Sequence, residues 1–196
     1  MVHTLDKQNE GLGEGMDMKP KKFILWLFVV SSTIMFGGWT SYYIVFSAAK
    51  GKGHGLVLPE LFTYSTIVLV VSSACLFLAS RALKSGALGK QRVWLWITLI
   101  LGLVFAYMQF SAWRVLVDTG AFLTNNNAAI SMIYIVSGFH LLHIVAGIAL
   151  MVSAIAGSYG QISAERRKYR MDIASIFWHF IDILWIYLYV FLLLNS

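Results

Sequence analysis

The chain contains five long apolar stretches, and these constrain its fold more than any other feature. A helix needs about 20 mostly apolar residues to cross the roughly 30 Å hydrocarbon core of a bilayer, where unpaired backbone groups are very costly. Charged residues cluster between the stretches, where they can reach water. The sequence therefore predicts an all-α, polytopic membrane protein, a bundle of five transmembrane helices. The expected helices cover residues 23–49, 60–82, 93–113, 128–156 and 173–194.

The composition excludes a soluble globular protein. Of the 196 residues 59% are apolar and 12% are charged, whereas soluble domains carry about a quarter charged residues. The net charge of +6 does not indicate nucleic-acid binding, because such proteins keep their basic residues on a folded polar surface. The single cysteine, Cys75, excludes an intrachain disulfide and a cysteine-based metal site. Residues 21–196 are expected to form one membrane domain.

The distribution of basic residues predicts the orientation of the helices. Twelve of the 15 Lys and Arg residues precede helix one or follow helices two and four, and three lie on the opposite side. The positive-inside rule then places the N-terminus in the cytoplasm. Residues 1–20 are polar and include three glycines before residue 16, so we expect a flexible cytoplasmic tail.

Four ionisable residues lie inside the expected spans: His140 and His143 in helix four, and His179 and Asp182 in helix five. Each pair is three residues apart and shares a helix face. Ionisable groups in hydrocarbon are costly unless they face the bundle, so both pairs are expected to point inward and toward each other. We favour a structural polar clasp between helices four and five over a metal, haem or proton-relay site, because three imidazoles are few for a metal centre.

Small, hydroxylated and aromatic residues have simpler interpretations. Ser65, Thr66, Ser72 and Ser73 mark one face of helix two by a seven-residue repeat, and helix one contains Gly37 and Gly38 among other small residues. Such residues allow close approach and hydrogen bonding between membrane helices, so helix packing is favoured over a transport path. The seven tryptophans lie mostly near the ends of the stretches, which is typical of interface anchors.

Two runs carry a resemblance to a known family. Residues 137–147, SGFHLLHIVAG, and residues 178–185, WHFIDILW, resemble two signatures of subunit III of haem-copper respiratory oxidases. Their order and spacing are similar to that family, and five helices resemble its short bacterial form. One departure concerns helix one, where many members have a membrane-embedded glutamate and this chain has Ser32.

The resemblance implies a function for the chain. It implies a non-catalytic subunit of a complex in the bacterial cytoplasmic membrane that reduces dioxygen to water and pumps protons. Haem and copper are then expected in partner subunits, and none in this chain. The subunit would pack against subunit I and other oxidase subunits, bind phospholipid, and support proton uptake and sustained turnover. Its motifs make six residues candidates for the polar clasp or for lipid contact: His140, His143, Trp178, His179, Asp182 and Trp185.

Three alternatives from other classes are less favoured. A membrane b-type cytochrome would need facing imidazoles from two helices, which His143 and His179 could supply. An intramembrane serine protease would pair Ser137 with a histidine of another helix, but Ser137 shares its helix with His140 and no oxyanion-binding element is visible. A transporter often has proline-broken helices and inverted repeats, which these five stretches do not show.

The expected orientation can be tested by cysteine labelling in intact cells. In a Cys75→Ala background, Gly53→Cys should react with a membrane-impermeant thiol reagent added from outside, because the positive-inside rule places the loop after helix one outside. Ser85→Cys, in the basic loop after helix two, should react only after the membrane is permeabilised. The reverse pattern would show that the orientation is wrong.

Overall fold

The structure is a computed structural model that describes the backbone of residues 2–50, 59–118, 120, 128–160 and 162–194, and their side chains except at 2–19, 46–50 and 128–130. Five α-helices follow one another along the chain. Each contains a segment long and apolar enough to cross a membrane, which confirms the all-α, five-span architecture. The helices are α1 (Val2–Lys50), α2 (Leu61–Lys84), α3 (Leu88–Asp118), α4 (Ala128–Tyr159) and α5 (Ala164–Leu194).

Several helices extend beyond their expected ends. α1 already begins at Val2 and contains Pro20, so the backbone of residues 2–20 is helical where the sequence predicts a flexible tail. Adding turns to an existing helix costs much less than nucleating a new one, which explains how a polar segment can continue an apolar helix. α5 begins at Ala164 instead of residue 173 for a similar reason, because the Glu, Arg and Lys residues that precede the apolar stretch are good helix formers.

The helices pack as a closed ring of four with one helix outside. α2 contacts α3, α3 contacts α4, α4 contacts α5, and α5 closes the ring against α2. Among the described residues α1 packs only against α4 and α5. Its contact face is buried at Ser32, Phe36, Thr40 and Tyr43, which follow one another at intervals of four and three residues, while most of its other large apolar side chains are exposed.

Two glycines allow the ring to close around one tryptophan. A Cβ added at Gly102 of α3 would lie 2.6 Å from Cη2 of Trp178, and one added at Gly147 of α4 would lie 3.0 Å from its Cε3. Trp178 of α5 is fully buried and therefore fills the space that both glycines leave open. A Cβ added at Gly37 or Gly38 of α1 would meet no atom of another helix within 4 Å, so the expected close helix contact is wrong at these two positions.

Basic side chains hold one end of the bundle together. Arg92 and Arg167 donate hydrogen bonds to the carbonyls of Ser158 and Gly157 in the last turn of α4, where the helix leaves its carbonyl groups unpaired and its dipole is negative. Arg170 donates to the carbonyl of Ser153, one turn earlier. Lys22 of α1 forms a 2.7 Å ion pair with Asp172 of α5. The charged segments expected to lie outside the hydrocarbon thus also connect neighbouring helices.

Enlarging Gly102 should destabilise the bundle. In Gly102→Ala the new methyl group would meet the ring of Trp178, which is buried on all sides and cannot move away, and overpacking of this kind costs about 1–3 kcal/mol. The free energy of unfolding, measured by titrating the purified protein with sodium dodecyl sulfate, should fall by that amount. Gly38→Ala is the matched control, because its methyl group meets nothing, and it should not lower the midpoint. Equal midpoints for both variants would contradict the packing described here.

Candidate functional site

Both tryptophans of the second motif donate hydrogen bonds from α5 to α2. Nε1 of Trp178 lies 3.0 Å from Oγ of Ser72, and Nε1 of Trp185 lies 3.0 Å from Oγ1 of Thr66. Both indoles are fully buried, so the prediction of interface anchors or lipid contacts is wrong for these two residues. An indole N–H can only donate, and in hydrocarbon the hydroxyls of α2 are acceptors that water cannot replace.

Two further contacts extend this arrangement. Oγ of Ser73 lies 2.7 Å from Nδ1 of His179, and Oγ1 of Thr63 lies 2.8 Å from the hydroxyl of Tyr189. We call the four contacts together the α2–α5 ladder. The helix-packing interpretation of the hydroxylated face is confirmed at Thr66, Ser72 and Ser73. The fourth member of the sequence pattern, Ser65, instead donates to the carbonyl of Phe62 in its own helix.

His143 of the first motif connects α4 to α1. Its Nδ1 lies 2.7 Å from the carbonyl oxygen of Phe139, which can only accept, so Nδ1 carries a proton. In the neutral imidazole Nε2 is then an acceptor, and the hydroxyl of Ser32, 3.1 Å away, donates to it. The ring also packs within 5.5 Å of the ring centroids of Phe28 and Phe36. Ser32, at the position where many members of the similar family have glutamate, is therefore an uncharged donor to His143.

His140 lies in the core of the ring of helices. It is fully buried, and its ring centroid is 5.8 Å from that of Phe105 and 4.8 Å from that of Trp185. Neither of its nitrogens makes a hydrogen bond to a described residue. His140 thus occupies an aromatic environment between α3 and α5 and does not point toward α1 as His143 does.

The expected four-residue clasp is wrong in its geometry. His140 and His143 point to different neighbours, because a spacing of three residues leaves side chains about 60° apart around a helix. Asp182 has no hydrogen bond to either of them, and the nearest imidazole is that of His179 in its own helix, with Nδ1 3.9 Å from Oδ2. The polar residues of the two motifs therefore connect α1 with α4 and α2 with α5, instead of α4 with α5.

The geometry does not assemble the haem-ligating pair of the alternative hypothesis. The ring of His143 stacks over Phe177 of α5, with 6.5 Å between centroids. His179 follows two residues later, about 200° around the helix, and contacts Ser73 of α2. The two imidazoles lie on opposite sides of α5 and do not face a common space.

Sequence reasoning missed several tyrosine and tryptophan contacts of the same kind. The hydroxyl of Tyr187 lies 2.6 Å from Oγ1 of Thr40 in α1, and Nε1 of Trp113 lies 3.0 Å from Oγ of Ser137 in α4. The sequence could have indicated these contacts, because each donor and its hydroxyl partner lie at a similar depth in neighbouring spans. Helices α1, α3 and α4 therefore use the same chemistry as the α2–α5 ladder.

Removing one acceptor of the ladder should weaken the fold measurably. Ser72→Ala leaves the buried N–H of Trp178 without a partner, and single hydrogen bonds between membrane helices contribute about 0.6 kcal/mol on average and at most about 1.7 kcal/mol. The midpoint of thermal unfolding in mild detergent should fall. Ser111→Ala is the control, because the exposed hydroxyl of Ser111 bonds only to the carbonyl of Tyr107 in its own helix. An equal fall of the midpoint in Ser111→Ala would show that the hydrogen bond between the helices does not contribute more to stability than one within a helix.

Comparison with known proteins supports the family indicated by the motifs. A family model for cytochrome c oxidase subunit III matches residues 9–196. The chain is 30% identical over 167 residues to cytochrome bo(3) ubiquinol oxidase subunit 3 of Pseudomonas aeruginosa, covering 84% of this chain and 79% of that protein. It is 30% identical over 176 residues to cytochrome c oxidase subunit 3 of Thermostichus vulcanus, covering 86% and 84%.

A third relative extends the similarity over nearly the whole chain. Cytochrome c oxidase subunit 3 of Alkalihalophilus pseudofirmus is 24% identical over 189 residues, which are 95% of this chain and 86% of that protein. Together with five helices that can cross a membrane, these similarities describe a multi-pass inner-membrane protein. The chain therefore belongs to the cytochrome c oxidase subunit III family and is a subunit of a multi-subunit haem-copper terminal oxidase.

Proposed function

We propose that this chain is a non-catalytic subunit that packs against the catalytic subunit I and supports proton uptake and sustained turnover. Haem and copper are held by partner subunits, and this chain contributes no redox centre. The observation that carries this proposal is the use of the motif residues. Trp178, His179, Trp185 and His143 each connect one helix to another through a hydrogen bond.

The proposed role follows from what these contacts do physically. Hydrogen bonds between helices fix their relative positions, and in hydrocarbon no water competes for them. A bundle held in this way offers a rigid surface to a neighbouring subunit. Imidazoles that already hydrogen-bond to serine hydroxyls, as His143 does to Ser32, are not arranged as a set of ligands around one metal or haem.

A cleft between α3 and α4 supports the binding of phospholipid. It has a volume of about 920 Å³ and is lined mainly by apolar side chains, among them Phe110, Phe139 and Leu142. Arg114 lies near the end of α3 and lines the same cleft. Asp118 lines the same cleft. An apolar cleft with one basic and one acidic residue toward the end of a span suits an acyl chain whose zwitterionic headgroup lies at the interface.

The proposal predicts that loss of this subunit affects endurance more than the initial rate. A complex purified without this chain should keep its haem spectrum and begin to reduce oxygen, because the redox centres lie in other subunits. It should then lose activity during continuous turnover several-fold faster than the complete complex. Oxygen consumption followed over many turnovers measures this, and adding the purified chain back before turnover begins is the control.

The spectrum also tests the alternative function. A stoichiometric Soret band in the isolated chain, or loss of a haem signal when the chain is removed, would favour the b-type cytochrome hypothesis with His143 and His179 as ligands. A chain that does not co-purify with any haem-copper subunit would contradict the proposed packing against subunit I.

A further inference from the structure

A groove between α2 and α5 opens toward the outside of the helix bundle. It has a volume of about 400 Å³ and combines polar with apolar walls. α1 does not cover it, because among the described residues α1 packs against α4 and α5 and not against α2. The groove is lined by Val70, Ser73, Phe77, His179, Asp182 and Ile183, among others.

The polar wall of the groove is incompletely hydrogen-bonded. The side chain of Asp182 is only 5% exposed, and neither of its carboxyl oxygens makes a hydrogen bond of good geometry to a described residue. The hydroxyl of Ser73 lies beside the carboxyl group, but its short contact, 2.7 Å, is to Nδ1 of His179. His179 uses Nδ1 in its contact with Ser73. Its other ring nitrogen, Nε2, has no partner in the part of the chain that the structure describes, and its side chain is 32% exposed. A buried carboxyl group and a partly exposed imidazole nitrogen without a hydrogen bond of good geometry therefore lie side by side in this groove.

The depth of this place decides what can supply the partner. His179 is at the midpoint of α5 (Ala164–Leu194), and Ser73 is next to the midpoint of α2 (Leu61–Lys84). The apolar part of α5 begins after Asp172, so at 1.5 Å per residue His179 and Asp182 lie about 10 and 15 Å from the charged end of the helix, inside the hydrocarbon core. Lipid headgroups and bulk water do not reach that depth, and an ionisable group that faces acyl chains there is costly. A side chain of another membrane-spanning protein segment can supply the missing hydrogen-bond partner.

The apolar wall has the shape that suits a helix. Val70 and Phe77 of α2 are two turns apart and exposed on either side of Ser73, and Ile183 and Ile186 of α5 are exposed beside Asp182. This gives an apolar strip that continues above and below the polar residues. A transmembrane helix can cover such a strip along its length, whereas a small polar molecule would cover only the middle.

We infer that the α2–α5 groove docks a transmembrane helix of another oxidase subunit, and that this helix places a hydrogen-bond donor against Asp182. A hydroxyl, an amide or a basic side chain at this depth in the hydrocarbon core fits this chemistry, and the same or a neighbouring side chain pairs with Nε2 of His179. The inference rests on the membership of the chain in a multi-subunit oxidase. It does not depend on the proposed role in sustained turnover.

Photo-crosslinking in the intact complex tests the docking. p-Benzoyl-phenylalanine is introduced in place of Ile183, which is 69% exposed beside the groove, or in place of Leu103, which is 53% exposed at the midpoint of α3 and serves as the control of equal depth. Membranes are irradiated, the complex is purified through a tag on this chain, and crosslinked peptides are identified by mass spectrometry. The probe at position 183 should crosslink to one membrane-spanning segment of another oxidase subunit, and the probe at position 103 should not crosslink to that segment.

Two variants of Asp182 test the hydrogen bond itself. Asp182→Asn keeps an acceptor oxygen and the shape of the side chain, whereas Asp182→Leu removes the acceptor. The crosslinked subunit should dissociate roughly tenfold more readily from the Asp182→Leu complex in detergent, because a hydrogen bond to an ionisable group is lost. Asp182→Asn should retain it much more strongly than Asp182→Leu does. If Asp182→Leu does not fold, the crosslinking result still decides the docking.

Each outcome separates this inference from the proposed function. Adducts of only lipid or a small molecule at position 183, in a complex that still contains its haem-copper subunit, would overturn the docking and leave the proposed function intact. Equal retention of the partner by Asp182→Leu and the unaltered chain would overturn the hydrogen bond. A complex that contains no haem-copper subunit would overturn the proposed function instead.

Discussion

The absence of water in the hydrocarbon core is the constraint on which the rest of this structure depends. Polar side chains inside a span bond to carbonyls of their own helix, as Ser65 does, or to groups of another helix, and the α2–α5 ladder contains four contacts of the second kind. Its two indole donors, Trp178 and Trp185, meet hydroxyls that are six residues apart on the antiparallel helix α2. Sliding α5 along α2 would separate both pairs together, so the ladder determines the register of the two helices.

Trp178 extends this constraint to the whole ring of helices. Its indole N–H is held by Ser72 of α2, and its ring fills the space beside Gly102 of α3 and Gly147 of α4. A single side chain of α5 therefore contacts the other three helices of the ring. One hydrogen bond fixes where the indole lies, and two glycines make that position possible. This explains why a large aromatic residue is buried inside the ring of helices and does not lie on its lipid-facing surface.

The sequence was sufficient for the number of spans, which follows from the length of the apolar stretches, and for the role of the hydroxylated face of α2, which follows from a seven-residue repeat along one helix. It was not sufficient for the direction of individual side chains. The expected clasp joined the histidines of α4 to Asp182, whereas His143 contacts Ser32 and Asp182 faces α2, because the partner of a residue depends on how the helices are arranged around it. Trp178 was assigned to an interface because the expected fifth span began at residue 173, only five residues before it, whereas α5 begins at Ala164 and the indole is fully buried.

Three side chains in the described part of the chain have buried polar atoms and no hydrogen bond of good geometry, those of Gln109, His140 and Asp182. The surroundings of His140 and Asp182 differ. His140 is enclosed by the rings of Phe105 and Trp185, so a neutral imidazole there packs as an aromatic residue within a complete core. Asp182 lines a groove that opens to the outside of the bundle, and packing alone does not satisfy the hydrogen-bonding capacity of its carboxyl group. The α2–α5 surface of this subunit therefore presents an unpaired polar group toward the outside of the bundle, whereas His140 is enclosed within it. Any partner that binds the folded form at that surface adds to its stability by mass action, so the folding of the subunit is coupled to its assembly.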